Sequence, residues 1–488
     1  MARSVPHPAR RPGQSRRGCL YRELAELIAS GMRDGSLRVG DRIPSVRRLA
    51  RQHRVSVATA VQALRHLESQ RLVEARPKSG FFVARLPREL DEPAPSRPPL
   101  SPRYVVTPSL QRDYIDAFQA PGAVHLGPVV PPPPLFPAQR LARLVAATAR
   151  REPALTVSYP VYSNGTEELR RVLARRALDG GLRLRPEELV VTAGCLEAVM
   201  LALRAVARPG DAIALESPTH FMLLQAIESL GMKALEVPTH PRTGISVDAL
   251  DLATAKRSAV RAVLLVPSFS NPLGASMPDE ERRRLALLCA EREIPVIEID
   301  IFGEIAFDER RPRTIRSFDP AGNVLLCSSF SKTVAPGLRI GWIAPGRFQH
   351  EVEMLRLAGF VFAPQIPQRA LAQFVTSGGY DLHLRRLRTV LRAQSARLHE
   401  AVAASFPAGT RVTRPRGGYV VWAELPARVD AVELFRRARA ENIALAPGPL
   451  FTSTGRFRNC LRLSFAHAWS HSIDDALARV GALARELA

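Results

Sequence analysis

From Leu20 to Val83, apolar positions first recur at helical spacing and then give way to short extended runs. Leu20, Leu24, Leu27 and Ile28 mark one face of a helix that Gly31 and Gly35 close. Ser45, directly after Pro44, is placed to cap a short helix running through His53. Ser56 is placed to cap a second helix, in which Val61, Leu64 and Leu67 form an apolar stripe. Two short helices across a tight turn predict a helix-turn-helix over residues 19–84. The run "LVEARPKSGFFV" predicts two strands around a basic turn, a wing.

Beyond this region the pattern changes twice. Residues 85–120, beginning with the Pro-rich "DEPAPSRPPLSPR", predict a semi-extended linker without a packed element. The run Pro131–Pro134 reads as a stiff connector rather than a peptide-recognition motif. From residue 121 to 488, short β-branched runs alternate with helical segments. "ELVVTAG" precedes "CLEAVMLALRAVA", "DAIALES" precedes "THFMLLQAIESLG", and "AVLLVPS" and "IPVIEID" are further strand-like runs. Such alternation predicts a mostly parallel sheet covered by helices on both faces.

Charge sharpens the reading of the first region. The chain carries a net +23, of which residues 1–90 hold +12, from 19 Arg/Lys against 7 Asp/Glu. Residues 1–18 read as a basic disordered arm. Positive charge concentrated beside a compact helical pattern points to a polyanion, and double-stranded DNA is favoured over a membrane surface. No apolar run approaches the roughly 18 residues of a membrane span. The opening "MARSVPHPARRPGQSRR" lacks the apolar core of a signal peptide. Five scattered cysteines without a CxxC pair argue against structural metal and a disulfide framework, so a reduced, cytoplasmic setting is expected.

Lysine usage points to the chemistry of the larger region. Only four lysines stand against 65 arginines, and one of them, Lys332, lies in "SSFSKTVAPGLRIGW". A surface charge would tolerate arginine. An amine that must deprotonate and attack a carbonyl would not, because guanidinium stays protonated. A Schiff-base lysine serving pyridoxal phosphate also needs a phosphate cradle and groups around the ring. Backbone N–H groups of Gly194, Cys195 and Leu196, at a glycine turn opening a helix, form one candidate cradle, although most such turns bind nothing. Ser329 and Arg339 flank Lys332 and would complete a phosphate clamp. Asn271, in "PSFSNPLGASM", sits in an Asn-Pro turn from which an amide would reach the ring. Arg462, between Leu461 and Leu463, either pairs with an internal acid or receives a substrate carboxylate.

The blocks "GDRIPSVRRLA", "VSVATAVQALRHLE" and "RPKSGFFV" resemble the winged-helix domain of GntR-type transcription regulators. That resemblance implies Arg47, Ser56, Thr59, Lys78 and Gly80 at DNA. In this chain Val57 stands where the family usually has an arginine. The series "TAGCLEAV", "ESPTHF", "SNPLG", "SSFSKTVAPGLRIGW" and "NCLRLSF" resembles fold-type I aminotransferases over about 350 residues. It implies a pyridoxal phosphate domain with a smaller C-terminal subdomain. Lys332 would be the imine lysine, Asn271 would lie at the phenolic oxygen and Arg462 at an α-carboxylate. His220 would take the ring-stacking place, and Tyr159 would reach the phosphate of a partner subunit. An acid usually faces the pyridine nitrogen. The gap-free register puts Ile299 there, and a slip of one residue would bring Asp300. The fusion resembles the MocR subgroup of GntR-type regulators, implying a homodimeric transcription regulator that senses pyridoxal phosphate or an amino compound. The alternative is a working aminotransferase with an accessory N-terminal domain.

Overall fold

A computed structural model describes residues 17–69, 72–77, 79–84, 90–106, 109–160, 163–255, 259–308, 310–359 and 361–488. The chain divides into two compact units between Glu89 and Leu90. The proposed arm falls outside the described residues up to position 16, and the first helix, Arg17–Arg33, begins within its last two positions.

In the first unit, Arg17–Arg33 is followed by the helices Val46–Gln52 and Val57–Ser69. The first helix runs through Gly31, and Gly35 takes a positive φ of 82° just beyond its end. Ser45 accepts a hydrogen bond from Arg48 N at 3.3 Å, capping the second helix. Ser56 does the same for the third through Thr59 N at 3.0 Å. The expected stripe is shifted: Ala60, Ala63, Leu64 and Leu67 are fully buried, while Val61 is only half-buried. Strands Val73–Arg76 and Gly80–Val83 pair antiparallel with Arg76 opposite Gly80. Gly80 has φ +98°, which side-chain-bearing residues rarely adopt, so the wing turn needs glycine there. Backbone bonds from Ile43 N to Phe81 O and from Val83 N to Asp41 O seat the wing on the segment leading into the helix-turn-helix.

The second unit corrects the linker assignment. Residues 85–89 of the expected linker lie outside the described residues, and from Leu90 onward the described residues pack into the second unit. Leu90 is buried, and Val412 N donates to Asp91 O. Ser96 bonds to Ser217 O and Thr239. Ser109–Gln119 is a helix with Gln111, Tyr114 and Ala117 buried. The Pro-rich composition of the preceding segment hid a helix whose buried residues, Gln111, Tyr114 and Ala117, recur every third position.

A nine-stranded sheet forms the centre of this unit. Strands Lys233–His240, Ala212–Ser217, Val260–Leu265, Val296–Ile299 and Val324–Ser329 run parallel. Gly341–Ala344 is antiparallel to Val324–Ser329, and Val190–Thr192 is antiparallel to Gly341–Ala344. Three of the parallel strands, Ala212–Ser217, Val296–Ile299 and Val324–Ser329, are buried end to end, as expected of strands covered on both faces. A four-stranded sheet, built from Arg411–Val412, Val420–Glu424, Cys460–Ser464 and Ala446–Pro447, forms the C-terminal subdomain. No helix among the described residues is long and apolar enough to cross a membrane.

Candidate functional site

In the first unit the residues expected at DNA surround the start of helix Val57–Ser69 and the wing turn. Ser56 Oγ and Thr59 Oγ1 lie 2.8 Å apart in the first helical turn. Arg47 is exposed on the preceding helix together with Arg48 and Arg51. Val57 is 53% exposed, so an apolar side chain stands at the tip of the presented helix. Lys78 lies outside the described residues. Arg42 escaped the sequence reading: its guanidinium lies beside Gly80, 3.7 Å from where a β-carbon would stand.

In the second unit Lys332 follows the carboxyl end of Val324–Ser329, where the next strand reverses direction. Ligands of open α/β sheets bind beyond such ends. Lys332 Nζ donates to Val129 O at 2.9 Å. Burial, then the guanidinium groups of Arg462 and Arg339, bring its pKa down from 10.5 to about 8. The loop is held from three sides. Tyr419 OH donates to Lys332 O at 2.5 Å, Tyr380 OH accepts from Thr333 Oγ1 at 2.9 Å, and His383 Nε2 lies 2.7 Å from Thr333 O. These three were not legible in sequence, because each contact spans about 50 residues or more.

The turn expected to cradle the phosphate precedes helix Cys195–Val206. Gly194 has φ +106°, and a β-carbon there would sit 2.4 Å from Arg339 Nη2. A β-carbon on Gly341 would meet the Gly194 backbone at 2.4 Å. Both glycines therefore keep space at the positive end of a helix whose first N–H groups lack intrahelical partners. Arg339 donates to Ala193 O at 2.9 Å and to Ser331 Oγ at 3.4 Å, joining this turn to the lysine loop. Ser329 is buried, its hydroxyl accepting from Ser331 N. Burial raises the Cys195 thiol to about 12, so it stays protonated.

Arg462 is 1% exposed. Its Nη1 donates to Asn271 Oδ1 at 3.1 Å, and its Nη2 to Tyr114 OH at 3.0 Å and Gly127 O at 2.9 Å. Its Nε has no hydrogen-bond partner among the described residues. No carboxylate pairs with it among the described residues, so the internal-acid alternative finds no support. His220 is held neutral: burial, then Arg462 and Lys332, push its pKa well below 6.5. Its ring lies 4.7 Å from that of Phe221.

Ile299, at the end of its strand, and Asp300, the residue after it, have different partners. Ile299 pairs with Cys327 in the parallel register, and Cys327 shares the face of Cys195 and its helix. Asp300 accepts from Arg311 Nη2 at 2.5 Å and Gly303 N at 3.2 Å, and after burial its charge also helps raise the Cys195 thiol. Arg311 also faces Glu304, which Arg176 and Tyr380 hold. Asp300 thus belongs to a buried ion network. Tyr159 stands apart, 66% exposed, with its ring edge against Phe362.

The residues present fit pyridoxal phosphate at the lysine, phosphate, ring-face and carboxylate positions; at the ring-nitrogen position the gap-free register offers Ile299, which has no acid, while Asp300 is paired with Arg311. The model of aminotransferase class I and II, a fold that typically binds pyridoxal phosphate, matches residues 138–480. That of the bacterial regulatory proteins of the gntR family matches residues 20–83. The uncharacterized HTH-type transcriptional regulator YjiR of Escherichia coli (strain K12) is 38% identical over 94% of this chain and 98% of its own length. YdcR of the same strain, also an uncharacterized HTH-type regulator, is 34% identical over 96% of this chain and 99% of its own. The structure of LysN, an alpha-aminoadipate aminotransferase from Thermus thermophilus complexed with N-(5'-phosphopyridoxyl)-L-leucine, is also similar. It is 29% identical, with a TM-score of 0.71 over 78% of this chain and 96% of LysN. With a gntR helix-turn-helix unit fused to a class I and II aminotransferase unit, and regulators of that architecture similar over nearly its full length, the chain belongs to the MocR-type HTH transcriptional regulators.

Proposed function

We propose that this chain binds double-stranded DNA as a cytoplasmic homodimer, holds pyridoxal phosphate on Lys332, and reports an amino compound to its winged helix. The observation that carries the reading is the pairing of a lysine brought down to about 8 with a buried arginine that no acid neutralises. When bound, pyridoxal phosphate supplies an aldehyde carbon on which amines exchange. The chain's own groups would do the rest. The Gly194–Leu196 turn, Ser329 and Arg339 would hold the phosphate, with Tyr159 reaching the site of a partner subunit. Asn271 would address the phenolic oxygen, His220 would cover the ring, and Arg462 would take an α-carboxylate.

Ile299, on the face of the cradle helix, has no proton to give the ring nitrogen, and Asp300 is committed to Arg311. This favours sensing over turnover, because complete transamination draws on a protonated ring. The test is purified protein supplied with pyridoxal phosphate. An absorbance that borohydride bleaches, and that Lys332→Ala abolishes, supports the reading. Rapid multiple turnover of an amino acid to its keto acid would favour the aminotransferase alternative.

A further inference from the structure

The hydrogens of Arg462 are already divided in a way that constrains how an effector carboxylate enters. A carboxylate meets a guanidinium at two points, either across its two terminal nitrogens or along the edge formed by Nε and Nη2. Both approaches need a hydrogen of Nη2. That nitrogen has two, and they go to Tyr114 OH at 3.0 Å and Gly127 O at 2.9 Å. Nη1 keeps one hydrogen beyond its bond to Asn271, and Nε keeps its own. The free donors are therefore the two that cannot grip a carboxylate as a pair.

One of the two acceptors on Nη2 must yield. Gly127 is fixed by its backbone. Its N–H donates to Ala444 O at 2.9 Å, the adjacent Leu126 is bonded to Ala444 and Ser464, and a β-carbon on Gly127 would lie 2.5 Å from Ala446 N. Tyr114 OH makes a single hydrogen bond among the described residues, and it is a side-chain hydroxyl rather than a backbone carbonyl held in a sheet. Exchange of a neutral hydroxyl for a carboxylate is favourable, since charge-assisted bonds are roughly twice as strong as neutral ones.

We propose, resting on the reading above, that the Tyr114 hydroxyl is an internal occupant of Arg462 which an effector carboxylate displaces. Displacement removes one of the ties that hold helix Ser109–Gln119 at the site. Among the others are Gln111 Nε2 to Gln225 Oε1 at 3.1 Å, the Tyr114 ring against Phe221, Asp113 paired with Arg439 at 3.2 Å, and the Phe118 ring against His125. This helix lies on the segment that leads back along the chain to the DNA-binding unit. Tyr114 thus distinguishes amino acids from plain amines: both reach Lys332, but only the former releases the helix.

The test uses the full chain loaded with pyridoxal phosphate and titrated with leucine and with isoamylamine, the same side chain without the carboxylate. In Tyr114→Phe the Nη2 hydrogen is free in advance, so leucine affinity, read from the cofactor absorbance, should rise about two- to tenfold. Isoamylamine affinity should not change. In the unmodified protein, amide hydrogen exchange over residues 109–119 should quicken with leucine and not with isoamylamine. Weaker leucine binding in Tyr114→Phe, an equal change for both compounds, or exchange that ignores the carboxylate would each overturn the proposal. Unmodified protein whose absorbance neither compound moves would instead overturn the sensing reading on which it stands.

Discussion

Arg462 and Asn271 are joined across 191 residues of sequence, Nη1 donating to Oδ1 at 3.1 Å inside the unit. The bond aims the guanidinium and leaves the amide nitrogen of Asn271 free for another acceptor. Asn271→Ala removes the acceptor from a buried charged donor, which costs roughly 1–3 kcal/mol. Denaturant unfolding of the cofactor-free protein should show a loss of that size. An unchanged midpoint would mean that water replaces the amide without penalty.

The position of Lys332 gives a pH signature. Its folded-state pKa is about 8 against 10.5 for an ordinary lysine, first through burial and then through Arg462 and Arg339. Below pH 8 both folded and unfolded chains bind the proton, and the cost of the charged amine is fully present. From about pH 8 to 10.5 only the unfolded chain holds it, so stability rises with pH through that window. Lys332→Met should remove this rise from the pH dependence of unfolding. A wild-type and variant difference that is flat across the window would place the lysine's pKa back at its ordinary value.

DNA binding by the first unit should be dominated by phosphate contacts. Each phosphate neutralised contributes about 0.9 to the slope of log affinity against log salt. Arg47→Ala should weaken binding to all sequences and reduce that slope by about one. Binding that does not depend on salt would exclude this surface as the DNA face.

Ile299→Asp puts a carboxylate on the face of the cradle helix, where the present protein has an apolar side chain. If that face meets the ring nitrogen, keto-acid formation from a bound amino acid should rise by an order of magnitude or more, while the unmodified protein forms little. Equal and slow rates in both would show that the missing acid is not what limits turnover.

The sequence was most informative where function rests on local pattern. The capping serines Ser45 and Ser56, the wing around Gly80, and the strand-turn-helix at Gly194 depend on neighbours within a few residues. So does the cluster Ser329, Lys332 and Arg339. Contacts from distant segments were not legible. Tyr114 sits in a stretch whose prolines dominated its composition, and its bond to Arg462 spans 348 positions. Ile299 and Asp300 could be separated only by strand pairing, because a shift of one residue exchanges the two faces of a strand. The pairing of Asp300 with buried Arg311 was likewise not legible in sequence.

The central claim is that an amino compound acting at Lys332 changes what the winged helix does on DNA. Its most direct measurement is the affinity of the full chain for its DNA site, titrated with an amino acid, in parallel with the absorbance of the bound cofactor. The account predicts that both change over the same concentration range, and that Lys332→Ala still binds DNA but no longer responds. A DNA affinity that stays constant while the absorbance shifts, or one that responds equally in Lys332→Ala, would contradict it.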